Sequence, residues 1–205
     1  MNYTVNNKSI LTVSNTGLIT PLTVGDTTIT ITSTRNKSLT KTITVHVINP
    51  KIETDTYVIN RDTEGSEYIT GMEPKITVDE FLSNLKNERE NLSVYESTDV
   101  NTVDSEEIIK TKYIVKLSIN GTVYDQLVLV IKGDVNGDGY ITVGDVTRTK
   151  NVVLRLDSFD LYEKVAGDIN IDSNITVGDV TKIKNYILRL ETSLNKDLYD
   201  KIEKE

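Results

Sequence analysis

Asp134-Val-Asn-Gly-Asp-Gly-Tyr-Ile-Thr-Val-Gly-Asp145 and Asp168-Ile-Asn-Ile-Asp-Ser-Asn-Ile-Thr-Val-Gly-Asp179 are two copies of one pattern of oxygen donors. Side-chain oxygens fall at loop positions 1, 3 and 5, a main-chain carbonyl at 7 and a carboxylate at 12, the spacing that wraps a loop around a hard cation taking six to eight oxygens. Calcium suits this chemistry. In the first copy Asp134, Asn136 and Asp138 offer side chains, Tyr140 its carbonyl and Asp145 the closing carboxylate, with Thr142 placed for a bridging water. The second copy repeats the set through Asp168, Asn170, Asp172, the Asn174 carbonyl and Asp179, with Thr176 at the water position. Two Ca2+ ions are expected.

The elements around these loops differ from an ordinary EF-hand. Position 12 is Asp where the usual pattern has Glu, so the helix that carries it must bring a shorter carboxylate closer. Gly139 serves the sharp turn at position 6, but Ser173 replaces it in the second copy, where a positive φ carries a modest cost and predicts a weaker second site. Neither loop is expected to follow an amphipathic helix, since Gln126 to Ile131 is a β-branched apolar run that reads as a strand.

An exiting helix follows each loop. At about 100° per residue, Val146, Thr149, Val153 and Leu156 share one stripe, matched by Val180, Ile183, Ile187 and Leu190, and the two stripes are expected to pack together. A second face carries Val143, Thr147, Lys150, Asn151, Leu154 and Arg155, matched by Val177, Thr181, Lys184, Asn185, Leu188 and Arg189. A leucine among basic residues suits a protein partner. The alternative is a solvated amphipathic face, and repetition in both helices weighs against it.

Loop plus exiting helix, twice, over Asp134 to Leu156 and Asp168 to Leu190, with Ile-Thr-Val-Gly-Asp-Val-Thr and Leu-Arg-Leu in both, resembles the type I-like dockerin domain of cellulosome-type assemblies. The resemblance implies a small all-α calcium-binding domain over residues 133–205 and, as partner, a cohesin domain of a scaffoldin or cell-surface protein. By position in the family it assigns partner contacts to Val143, Gly144, Lys150, Asn151, Leu154 and Arg155 and to Val177, Gly178, Lys184, Asn185, Leu188 and Arg189. The Val-Gly pairs stand where many dockerins carry hydroxyl residues. So close a match of the two faces implies a near two-fold module that binds in either of two orientations.

The 205 residues suit two or three compact domains. Cysteine is absent, which excludes disulfides and thiolate metal sites. A net charge of −8 argues against nucleic acid, and much of the acidity lies in the two loops. No apolar run reaches the ~18 residues of a membrane span, and the amino-terminal residues lack the basic start and apolar stretch of a signal peptide. For an extracellular calcium module this reads as a fragment of a larger secreted protein.

Residues 1–50 alternate short β-rich stretches with turns: Ile10 to Val13, Gly17 to Thr20, Thr27 to Thr32 and Thr42 to Val47. The order Lys8-Ser-Ile-Leu-Thr-Val-Ser-Asn-Thr-Gly-Leu-Ile-Thr, then Val24-Gly-Asp-Thr-Thr-Ile-Thr-Ile-Thr, resembles the later part of a bacterial Ig-like domain of group 2. A partial all-β sandwich with open strand edges is expected. Pro50 and the polar residues after it mark a boundary.

Residues 55–131 read as an α+β module. Strands are expected at Tyr57-Val-Ile, Tyr68-Ile-Thr and Leu92 to Tyr95. The capping box Thr77-Val-Asp-Glu80 opens a helix that buries Val78, Phe81, Leu82 and Leu85. Lys112 to Ile119 and Thr122 to Ile131 form a hairpin across Asn120-Gly121. Its Ile-Thr-Gly-Met-x-Pro, Thr-Val-x-x-Phe-Leu-x-Asn-Leu and Asn-Gly-Thr segments resemble the X-type modules that precede dockerins. Only Lys132 and Gly133 separate its last strand from Asp134, which predicts a fixed junction.

Catalysis has little support in these residues. His46 is the single histidine and sits in a strand-like Thr-Val-His-Val. Glu64, Glu67 and Glu73 offer carboxylates, but there is no tryptophan for the stacking floor of a sugar site, and the Gly137 and Gly139 pair belongs to the metal loop rather than to a phosphate cradle. The expected role is a non-catalytic, calcium-dependent interaction module that anchors its parent protein to a cohesin. The runner-up is a calcium-stiffened stalk of a surface adhesin with no cohesin partner.

Overall fold

The computed structural model describes residues 1–48, 50–61 and 66–203. The chain divides into two compact units, Met1–Pro50 and Lys51–Glu205.

In the first unit, strands β1 (Asn2–Val5), β4 (Gly25–Thr32) and β5 (Thr40–Val47) form an antiparallel sheet in the order β1-β4-β5, while β2 (Leu11–Val13) and β3 (Ile19–Pro21) pair as a two-stranded ribbon. Val5, Leu11 and Ile29 are the buried centre, flanked by Tyr3, Val13, Ile31, Val45 and Val47. Strand β1 is absent from the sequence expectation. It is only four residues long, and its pairing with Ile29 to Thr32 is a long-range choice that local pattern does not report.

The second unit is built on a five-stranded sheet ordered β6-β7-β10-β9-β8, from β6 (Val58–Asn60), β7 (Tyr68–Thr70), β8 (Leu92–Tyr95), β9 (Ile114–Ile119) and β10 (Thr122–Val130). Among the described strands of this sheet, only β7 and β10 run parallel. The β9–β10 hairpin turns at Asn120 and Gly121, both at positive φ (51° and 79°), as the Asn-Gly pair demands. Helix α1 (Val78–Ser83) starts at the Thr77–Glu80 capping box and covers one face of the sheet. Val78, Phe81, Leu82 and Leu85 are buried there with Ile69, Met72, Val94, Val115, Leu117, Leu127 and Leu129.

Strand β10 explains why its sequence is apolar without alternation. Leu127, Leu129 and Ile131 face the α1 side, while Val128 and Val130 meet Ala166, Val165 and Tyr162 on the other. A bulge between Val123 and Asp125 interrupts the register and precedes the inward-facing Asp125, which is buried. Arg61 Nη2 donates to Asp125 at 2.6 Å, the Ile52 N–H at 2.7 Å and Lys51 Nζ at 3.2 Å. This buried carboxylate ties the start of the unit to the sheet.

Among the described residues, four helices lie beyond β10: α2 (Val143–Val153), α3 (Leu161–Gly167), α4 (Val177–Ile187) and α5 (Lys196–Ile202). Helix α3 corrects the expectation that no helix enters either loop, since its last residue precedes Asp168. It opens with a capping box in which Asp160 accepts from the Glu163 N–H and Glu163 accepts from the Asp160 N–H, both at 3.0 Å. Asp160-Leu-Tyr-Glu163 is the signal for it in the sequence. Its apolar side packs on β10, which a reading of the two repeats alone does not anticipate.

Candidate functional site

The two loops have the same backbone conformation. Positive φ occurs at Gly137 and Gly139 (72° and 82°) and, in register, at Ile171 and Ser173 (56° and 69°). These turns aim successive N–H groups inward. Asp134 accepts from the N–H groups of Asp138 (3.0 Å) and Gly139 (3.1 Å), and Asp168 from those of Asp172 (3.1 Å) and Ser173 (2.9 Å). The amide of Asn136 reaches Asp138 at 2.8 Å, and that of Asn170 reaches Asp172 at 2.7 Å. Tyr140 and Asn174 follow with their N–H groups on Asp138 and Asp172 at 2.8 Å.

Each closing carboxylate doubles as part of a helix cap. Asp145 Oδ2 accepts from the Thr142 N–H at 2.9 Å while Thr142 Oγ1 accepts from the Gly144 N–H at 3.1 Å. Asp145 Oδ1 accepts from Val135 at 3.0 Å, which draws position 12 back onto the start of its loop. Thr176, Gly178, Asp179 and Ile169 repeat this arrangement at 2.9, 3.1 and 2.9 Å. The shorter Asp is thus brought to the loop by the first turn of its own helix.

Among the described residues, the loop carboxylates take no part in the direct ion pairs of this region, although the buried Lys132 ammonium lies near Asp168 and Asp179. Those pairs join Lys112 to Asp160 and Glu163, Arg148 to Glu163 and Asp157, and Lys182 to Asp197. Burial raises Asp134 and Asp145 above the ordinary carboxylate value, against the lowering effect of their backbone donors, and the charge of Asp138 pushes both the same way. No cage of three or more carboxylate, imidazole or thiolate groups is present among the described residues. The loops instead mix carboxylates with an asparagine oxygen and a main-chain carbonyl. Such an oxygen-only set, anionic and partly desolvated, fits calcium and no softer metal.

The first loop is attached to the sheet module. The Thr111 N–H donates to Asp134 Oδ2 at 2.9 Å, and a Cβ on Gly139 would lie 2.9 Å from the Ile109 carbonyl oxygen. Lys132, buried, donates through Nζ to the carbonyls of Val165 and Asp168, both at 2.7 Å. Burial pulls this ammonium down to about 8 despite the nearby charges of Asp168 and Asp179. The residues after α4 return to the same module: Asn195 Nδ2 donates to the Met72 carbonyl and to Glu73, each at 3.1 Å, and the Tyr199 hydroxyl to the Gly71 carbonyl at 2.9 Å. Sequence reasoning missed these contacts of Thr111, Lys132, Asn195 and Tyr199, because each joins segments far apart in the chain.

On the helices, Thr149 and Ile183 are fully buried, with Val146, Val153, Val180 and Ile187 partly covered. Leu156 and Leu190 are not. They are 75% and 71% exposed, contrary to the expectation that they pack together. Both helices end before them, with Arg155 and Arg189 at φ of 60° and 58° and the N–H groups of Leu156 and Leu190 returning to the Asn151 and Asn185 carbonyls at 2.8 Å. Helical spacing cannot be extended past such a left-handed cap.

The second face is matched residue for residue. Val143 and Val177 are 68% and 66% exposed, and Leu154 and Leu188 are 57% and 58%. Gly144, Thr147, Lys150 and Arg155 are exposed, as are Gly178, Thr181, Lys184 and Arg189, while Asn151 and Asn185 are half-buried.

Of the residues weighed for catalysis, His46 Nδ1 lies 2.7 Å from Asp26 on an exposed strand pair, Glu67 pairs with Arg61, and Glu73 holds Ser193 and Asn195. Glu64 lies outside the described residues. No helix among the described residues is long and apolar enough to cross a membrane.

Comparison with known families identifies two segments. Residues 132–188 match the dockerin type I domain, and residues 1–43 match the bacterial Ig-like domain (group 2). Searches of curated proteins and of solved structures found no match. Both matched domains are non-catalytic modules typical of extracellular bacterial proteins, and dockerins bind calcium and, in general, cohesin domains. The chain therefore carries a dockerin type I domain at residues 132–188, preceded by a bacterial Ig-like domain of group 2 at residues 1–43.

Proposed function

We propose that this chain docks a secreted parent protein onto a cohesin of a scaffoldin or cell-surface protein, through two calcium-loaded loops and the helices that follow them. Asp134, Asn136, Asp138, Tyr140 and Asp145 would hold one Ca2+, and Asp168, Asn170, Asp172, Asn174 and Asp179 the other, with waters at Thr142 and Thr176. Bound calcium would neutralise carboxylates that otherwise repel one another, and so fix the first turn of each helix.

The observation that carries the reading is the equal exposure of Val143 with Val177 and of Leu154 with Leu188, set among Lys150, Arg155, Lys184 and Arg189. A large apolar side chain ringed by cations is a recognition patch rather than a core residue. Two copies on equivalent helices offer a partner the same patch in two orientations. Residues 55–131, in their likeness to X-type modules, would serve as a rigid support for the calcium loops.

Calorimetric titration of the full chain against a panel of cohesins, in millimolar calcium and then in excess chelator, tests the proposal. Nanomolar to micromolar binding that is lost on chelation supports it. Calcium-dependent stabilisation with no cohesin bound would favour a stiffened adhesin stalk.

A further inference from the structure

The two loops share a backbone but not an environment. Asp134 is fully buried and takes a third backbone donor, Thr111, beyond the two from its own loop. Among the described residues nothing takes that place at Asp168. Segment Ile108–Thr111 also lies against the turn of the first loop. A Cβ on Gly139 would meet Ile108 Cδ1 at 2.8 Å and the Ile109 carbonyl at 2.9 Å, and one on Gly137 would lie 3.3 Å from the Thr111 carbonyl. At the matching turn of the second loop, Asp172, Ser173 and Asn174 are exposed. Lys132 does reach Asp168, but at its main-chain carbonyl, before the loop begins to turn.

A carboxylate already oriented by fixed N–H dipoles loses less freedom when it captures a cation, and a loop backed by packed main chain cannot swing open to release one. We infer that segment Ile108–Thr111 of the sheet module braces the first calcium loop, making it the tighter and more slowly exchanging site and leaving the second loop labile. Thr111 and Gly139 are positioning residues for calcium. The inference rests on the calcium reading of both loops and assigns their difference to the brace, not to Ser173. Ser173 already adopts the required φ in a turn with open space around it, so position 6 tolerates a side chain wherever no neighbour is packed against it.

Competition between the full chain and a chromophoric calcium chelator tests this, with Asp179→Ala to isolate the first loop and Asp145→Ala to isolate the second. A charge-assisted hydrogen bond held ready for the ion corresponds to a difference of about tenfold in affinity. That gap is expected to persist when Ser173→Gly is added to the second-loop background, and Gly139→Ser is expected to close it. A difference of less than about threefold, a reversed order, or closure by Ser173→Gly overturns the inference. Hydrogen exchange on the unmodified chain provides a reading that needs no substitution. Protection of the segment around residues 108–113 should appear with the first equivalent of calcium, before protection of residues 168–179, and simultaneous or later protection would also overturn it. Absence of calcium binding at both loops would defeat the calcium reading itself, whereas equal binding defeats only the brace.

Discussion

The Thr111 N–H and the Asp134 carboxylate, 2.9 Å apart, join the sheet module to the first residue of the first repeated loop. Both groups are buried, so the contact is shielded from competing water. Together with Lys132, Asn195 and Tyr199 it makes the loops and helices part of the same compact unit as the sheet, residues Lys51–Glu205.

Removing calcium should destabilise that unit. With free calcium about a thousandfold above the dissociation constant, linkage contributes about 4 kcal/mol per site, comparable with the whole stability of a small domain. Scanning calorimetry with and without chelator should show the transition of residues 51–205 move down by many degrees. Residues 1–50 hold none of the loop ligands, and their transition should stay in place.

The two helical faces should substitute for one another. Leu154→Asp or Leu188→Asp alone should change cohesin affinity by less than about tenfold, whereas the double variant should lose binding, because a leucine that the partner would cover is replaced by an unpaired charge in both orientations. Loss of all affinity from Leu154→Asp alone would refute the two-orientation arrangement.

Asp125 sets an acid limit on the sheet module. Burial alone would raise its carboxyl, but hydrogen bonds from Arg61 and the Ile52 N–H, with the Arg61 charge, hold it below the ordinary value. A depressed folded-state value stabilises the fold above the unfolded carboxylate range, and that stability is lost as pH falls through the folded value. Urea denaturation should therefore show a decline as pH drops from about 4 toward the depressed value, and Asp125→Asn should abolish this component. The substitution should also cost about 1.5–3 kcal/mol at neutral pH, because Arg61 and the Ile52 N–H lose a charged acceptor while Arg61 keeps Glu67.

Asn195 should hold the carboxyl-terminal segment to the module. Its Nδ2 serves both the Met72 carbonyl and Glu73, and its side chain is buried. Asn195→Ala should cost about 1–3 kcal/mol by leaving that carbonyl unsatisfied, read as a lower urea midpoint at unchanged slope. Tyr199→Phe, which removes a more exposed hydroxyl bond, should cost about 1 kcal/mol.

Local chemistry alone determined much of this protein. Loop donors at fixed spacing, the Thr77–Glu80 cap, the Asn120-Gly121 turn and the basic faces with Leu154 and Leu188 depend on neighbours within a few residues, so they are legible in order along the chain. Leu156 and Leu190 escape the helical period because each follows a cap whose left-handed residue is arginine rather than glycine, which leaves no stop signal in the sequence. Only the tertiary structure decided that β1 pairs with β4, that α3 covers the second face of β10, and that Ile108–Thr111 rests on the first repeated loop and not the second. The repeats share most of their residues, and although Gly137 and Gly139 stand where the second copy has Ile171 and Ser173, nothing within them names the segment that packs on the first loop. That asymmetry comes from a segment outside both repeats, brought to the first loop because β10 runs straight into it.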